Sequence, residues 1–204
     1  MGLQNSEVGK KTVLMKRLNA DHGQDSFADF IPLNDDLVKE VNKNVKEIFD
    51  TLGGASLIKS SGDIYIKPNG VGADPYVHTR AEVVEAAIRY WFNAGARNIY
   101  LIENSSQGNY TRLVFEITGY RKICKKTGAI PIYLDEEETV SFDFPGNDSV
   151  AEGDPHGYEL TRFGMPKTVA EKLIKEKDKN LYINIPKLKT HSLAVVTLGI
   201  KKLR

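Results

Sequence analysis

"TRAEVVEAAIRYWFNAGARNIYLIENSS", Thr79 to Ser106, reads as a helix that hands over to a strand. Thr79 and Glu82 stand at capping-box spacing, Val83, Ala87, Tyr90 and Trp91 make one apolar face, and Gly95 ends the helix. Past Arg97 the pattern becomes a short apolar run that stops at Glu103, Asn104, Ser105 and Ser106. Just upstream, "GDIYIKPNG", Gly62 to Gly70, is a second such run. A helix joining two short apolar strands is a crossover connection, which makes the strands parallel.

The alternation extends in both directions. "DDLVKEVNKNVKEIFDTLGG" places Leu37, Val41, Val45, Ile48 and Leu52 at helical spacing, with Asn34 as cap and Gly53 and Gly54 as stop. "YTRLVFEITGYRKICKKTGA" is one or two helices broken near Gly119, followed by a strand at "IPIYLDE". "KTVAEKLIKEKDKN" is a helix and "LYINI" a further strand. Between these, Thr139 to Pro166 has short alternating runs separated by Gly, Pro and Asp, the mark of an inserted hairpin or loop. "TVLMK" near the start joins the sheet as an opening strand, and "SLAVVTLGIKKL" at the end leans towards helix. The expected fold is therefore α/β: one domain over residues 1–204, a mostly parallel sheet flanked by helices on both faces, with "DIYI", "IYLI", "IPIYL" and "LYINI" as inner strands.

Composition narrows the function classes. The chain sets 28 Lys and Arg against 27 Asp and Glu, a net charge of +1 that gives no support for nucleic acid as the main partner. Its single cysteine, Cys124, excludes an internal disulfide and an iron–sulfur cluster bound by this chain's own ligands. A reducing, cytoplasmic setting fits, and no window approaches the apolar length of a membrane span. Cys124 lies in a helical pattern between Ile123 and Lys125, where burial as a small hydrophobe is the usual fate. No glycine-rich dinucleotide fingerprint or P-loop is present.

The chemistry is expected at the carboxyl ends of the strands, where loops converge on a rigid sheet. After "DIYI" come Lys67, Pro68 and Asn69; after "IYLI", Glu103 and Ser105; after "LYINI", Pro186, Lys187, Lys189, Thr190 and His191. Proline has no amide hydrogen and a fixed φ, so it ends strand pairing and aims the lysine beside it. Lys67, Asn69, Ser105, Lys187, Lys189 and Thr190 are thus candidates to hold a small anion, a phosphate or a carboxylate, with His191 and Glu103 as candidate acid or base. A helix opening at Ser192 would add free amides. The plainer alternatives are solvated lysines, a capping or packed His191, and a Glu103 and serines that bond their own turn. Asp74, His78, Glu103, Asp154, His156 and His191 have no spacing of a known metal motif, so no metal is assigned and the cofactor is unknown.

"DIYIKPNGVG", "TRAEVVEAAIRYWFNAGARNIYLIENS", "ITGY" and "LYINIPKLKTHSLAVVTLGIKKL" together resemble the family called domain of unknown function 362, from about Thr12 onward. Their most specific parts are Lys-Pro-Asn and Lys-Leu-Lys-Thr-His. The resemblance implies an association with iron–sulfur proteins, so that an iron–sulfur partner subunit stands beside the anion as an expected partner. Members usually have Lys-Asn where this chain has Lys201-Lys202, and they usually continue further. The chain is then either a compact member or one truncated at its C-terminus, with the apolar end packing internally or on a second copy in a homo-oligomer.

Overall fold

The computed structural model describes residues 15–16, 32–72, 74, 76–105, 110–143, 162–191 and 195–197. Four strands form a parallel sheet: β1 (Asp63–Pro68), β2 (Asn98–Glu103), β3 (Ile130–Tyr133) and β6 (Leu181–Ile185), in the order β3-β2-β1-β6. These are the four strands expected from the sequence, in one sheet. Thr139–Asp143 (β4) and Arg162–Pro166 (β5) pair antiparallel, the hairpin expected between Thr139 and Pro166. "TVLMK" as a strand lies outside the described residues apart from Met15 and Lys16, which are not in a strand.

The two faces of the sheet are covered unequally. Ile64, Ile66, Ile99 and Leu101 point to the thicker face, where helices α1 (Asp35–Thr51), α2 (Ala81–Asn93), α3 (Thr111–Ile117) and α4 (Tyr120–Thr127) surround Trp91 and Phe115. Tyr65, Ile102 and Leu134 point to the other face, packed by Val169 and Leu173. Those two belong to a π-helical segment, Val169–Lys175, whose wide turn closes with Glu176 N–H donating to the Glu171 carbonyl at 3.0 Å. Tyr182, Tyr65 and Tyr100 stand in register across β6, β1 and β2, and the last two stack with ring centres 4.7 Å apart. Such in-register aromatic pairs stabilise a sheet beyond their burial.

Local chemistry explains most boundaries. Asn34 caps α1, its side-chain oxygen accepting from Leu37 N–H at 2.9 Å. Gly119, at φ 78°, separates α3 from α4, a conformation that costs other residues energy. Helix α2 turns differently from the expected face: Val84, Ala86, Ala87, Ile88 and Trp91 are buried, whereas Val83 and Tyr90 are only partly covered. Its expected cap is also corrected. The N-cap position is Arg80, with no side-chain capping bond, because the Thr79 hydroxyl is used across the sheet instead.

The C-terminal helix is likewise not found where the chain is described. Val195–Thr197 is strand β8, paired antiparallel with β7 (Lys189–His191). A run of Val, Val and Thr is β-branched throughout, which favours the extended backbone over a helix. The remaining residues of that segment, 192–194 and 198–203, lie outside the described residues. No helix among the described residues is long and apolar enough to cross a membrane.

Candidate functional site

The order of the strands locates the crevice. The chain lays down β1, β2 and β3 in one direction and then returns to place β6 on the other side of β1. The connections therefore diverge between β1 and β6, and such a switch point opens a crevice at the carboxyl ends of the strands. Register makes the two exits neighbours: Lys67 is opposite Asn184 and Pro68 opposite Ile185. The Lys-Pro exit of β1 and the Pro-Lys exit of β6 thus leave the sheet side by side. Among the expected site residues, Lys67, Asn69, Glu103, Ser105, Lys187 and Lys189 all lie at or just past this end. The side chains of Thr190 and His191 lie outside what the structure describes, as do Asp154 and His156.

Glu103 is the hub of the β1 and β2 ends. It is 1 % exposed, and its carboxylate accepts from the Lys67 ammonium, from Gly70 N–H at 2.6 Å and from Asn104 N–H at 2.9 Å. The Lys67 side chain is 14 % exposed, so the pair sits just under the surface. Buried charges persist when paired and hydrogen-bonded in this way. Gly70 allows the close approach: a Cβ there would stand 3.1 Å from Glu103 Cγ.

Asn69 and Thr79 close the loop that follows β1. Asn69 N–H donates to Thr79 Oγ1 at 2.9 Å, Thr79 N–H to the Asn69 carbonyl at 2.9 Å, and the Asn69 side-chain amide to the Val77 carbonyl. The Thr79 hydroxyl donates in turn to the Ile185 carbonyl at 2.7 Å, which ties the β1 loop to the β6 exit. Tyr120 donates to the Thr79 carbonyl at 2.6 Å, and burial pushes its phenol well above the usual range. Asn69 is fully buried, and its Oδ1 has no hydrogen-bond partner. Ser105 Oγ donates to the Gly70 carbonyl at 2.6 Å, and Ser105 N–H to Thr111 Oγ1 at 2.9 Å.

The arrangement divides the candidates into two groups. Asn69, Ser105 and the Lys67–Glu103 pair are joined to one another's loops and form a rigid wall. Lys187, Leu188 and Lys189 line the β6 exit; both lysines are half-buried, whereas Leu188 is 70 % exposed. Thr79 and Tyr120, which hold the wall together, were missed as site supports. Thr79 reads equally well as a helix cap, and Tyr120 follows a helix break with no local sign of its reach. Cys124 is buried, and that burial pushes its thiol up to about 12. Among the described residues no group of three or more His, Cys, Asp or Glu could hold a metal ion.

A separate open groove of about 460 Å³ lies between α1 and α2, lined by Asn42, Lys46, Asp50, Arg89 and Tyr90. Its polar groups are already engaged: Asp50 accepts from Lys46 at 2.5 Å and from Tyr90 at 2.7 Å, Arg89 pairs with Glu85, and Asn42 donates to the Val38 carbonyl. The groove flanks the carboxyl end of α2, away from the carboxyl ends of the strands, and the switch point is the stronger candidate.

Comparison with known families fits the same region. The family model described as Domain of unknown function (DUF362) matches residues 64–203, from the second residue of β1 past β8. The chain belongs to this family. The DUF362 match therefore spans both lysine-proline exits and the whole wall. No curated protein and no solved structure matches the chain.

Proposed function

We propose that this DUF362 protein binds a small anion, a phosphate or a carboxylate, in the crevice between the carboxyl ends of β1 and β6. The observation that supports the reading is the in-register meeting of Lys67-Pro68 with the β6 exit that carries Pro186, Lys187 and Lys189 at a topological switch point. Lys67, Lys187 and Lys189 lie at or just past this end of the sheet, together with one carboxylate, Glu103. Lys187 and Lys189 neutralise the anion, while the Lys67–Glu103 wall sets the crevice's shape. Lys67 joins in when a ligand oxygen takes the place of Glu103. Any proton transfer falls to His191, or to Glu103 once it gives up a donor. The setting is cytoplasmic, and the metabolism served is redox or iron–sulfur linked.

Leu188 favours a second reading. An exposed leucine between two lysines suits a docking surface for an iron–sulfur or other protein subunit, with no small ligand. Thermal denaturation with phosphates and carboxylates, set against chloride at matched ionic strength, separates the two. A ligand that prefers the folded state raises the melting temperature. Anion binding predicts a rise that disappears in Lys187→Ala/Lys189→Ala. An equal rise with chloride, or one that survives in the variant, contradicts it.

A further inference from the structure

We infer that Tyr182 is a further ligand-binding residue, its phenol donating a hydrogen bond to an oxygen of the bound anion, a role that rests on the anion-binding reading of the crevice. Side chains two residues apart on a strand share a face, so Tyr65 and Lys67 stand on one side of β1, and Tyr182 and Asn184 on one side of β6. Register makes these the same side, because Tyr65 is opposite Tyr182 and Lys67 opposite Asn184. Tyr182 is therefore one step below the Lys67–Asn184 pair, on the strand that bounds the switch point.

Exposure and charge single out Tyr182 within the tyrosine row. Tyr65, between its two neighbours, is 3 % exposed, whereas Tyr182 is half-buried on the outer strand. Among the described residues the Tyr182 hydroxyl has no hydrogen-bond partner. A covered phenol usually finds one. After burial itself, what pushes the Tyr182 phenol up is the Glu103 carboxylate at the end of β2. Beyond burial, Tyr65 feels Tyr100, Asp63, Glu176 and Glu137 instead, and Asp63 is at the opposite end of β1. The Tyr182 hydroxyl thus faces the carboxyl end, where Lys67 and Glu103 form the wall. Held protonated there, it offers an anion a neutral donor that complements the two lysines past the strand end. Val169 and Leu173 of the π-helical segment pack against the same cluster as Tyr182, and such irregular turns are frequent at functional sites.

Tyr182→Phe removes the hydroxyl and keeps the ring. With no partner to lose, the variant folds with the wild-type melting temperature when no anion is present. Calorimetric titration of the full chain with inorganic phosphate is expected to give a dissociation constant about tenfold higher in Tyr182→Phe and unchanged in Tyr65→Phe. Phosphate also perturbs tyrosine ultraviolet absorption in the wild-type chain and not in Tyr182→Phe, a signal that a purely structural role of the ring does not produce. Saturable wild-type binding that Tyr182→Phe leaves equally tight overturns the role of Tyr182 and leaves the anion reading standing. Equal weakening in Tyr65→Phe does the same, since it traces the effect to the packed row. A wild-type chain that does not bind phosphate saturably overturns the anion reading and the role of Tyr182 with it.

Discussion

Glu103 shows why a buried charge can organise the end of a sheet. Three donors converge on one carboxylate: a lysine from β1, an amide from the β1 loop and an amide from its own loop. Removing one partner of such a pair leaves the other charge buried and uncompensated, which costs about 3–5 kcal/mol. Lys67→Met is therefore predicted to lower unfolding free energy by an amount in that range, measured by urea denaturation. The double variant Lys67→Met/Glu103→Gln should recover part of the loss, because no buried charge remains. Additive losses in the double variant would show that the two residues are not coupled.

At the scale of elements, the break between α3 and α4 carries a clear prediction. Gly119 sits at φ 78° with nothing within 4 Å of an added Cβ, so backbone conformation alone sets the cost of substitution. Gly119→Ala should destabilise by about 1 kcal/mol and Gly119→Asn by less, since asparagine tolerates the left-handed region. Thermal denaturation ranks the two, and equal losses would point to a packing cause. This break was legible in the sequence because glycine is a local signal. The parallel strands were legible for a similar reason: β1 is buried on both faces and reads as a continuous apolar run. Thr79 and the C-terminal segment were not. The capping pattern of Thr79 and Glu82 is real in spacing, yet a carbonyl from β6, more than a hundred residues away, takes the hydroxyl. Likewise, nearly continuous apolar residues fit a buried helix or a strand, and pairing with Lys189–His191 is what decides Val195–Thr197. In the candidate site, the residues themselves were legible as polar strand ends. That Asn69, Ser105 and Lys67 would bond the protein was not, because those bonds join segments distant in sequence.

The whole molecule should respond to alkali. Burial pushes the phenols of Tyr65, Tyr120 and Tyr182 upward, and burial with the hydrogen bond to Asp50 pushes Tyr90 up to about 12. In the unfolded chain these groups ionise near 10. The folded state therefore holds its protons where the unfolded state has lost them. The stability this supplies is complete below about pH 10 and is lost as pH rises towards about 12 for Tyr90. An ultraviolet titration should show tyrosinate from these residues appearing together with unfolding, and Tyr90→Phe should move the unfolding midpoint to higher pH. Full ionisation with native circular dichroism would contradict the burial.

The central claim is that the switch point between β1 and β6 receives an anion, and amide chemical-shift mapping during a titration with inorganic phosphate tests it most directly. Saturable shifts confined to residues 67–70, 103–105 and 185–189 are the predicted result, with Asn42, Asp50 and Arg89 of the α1–α2 groove unmoved. Shifts centred on the groove, or uniform small shifts that grow linearly with phosphate, would contradict it.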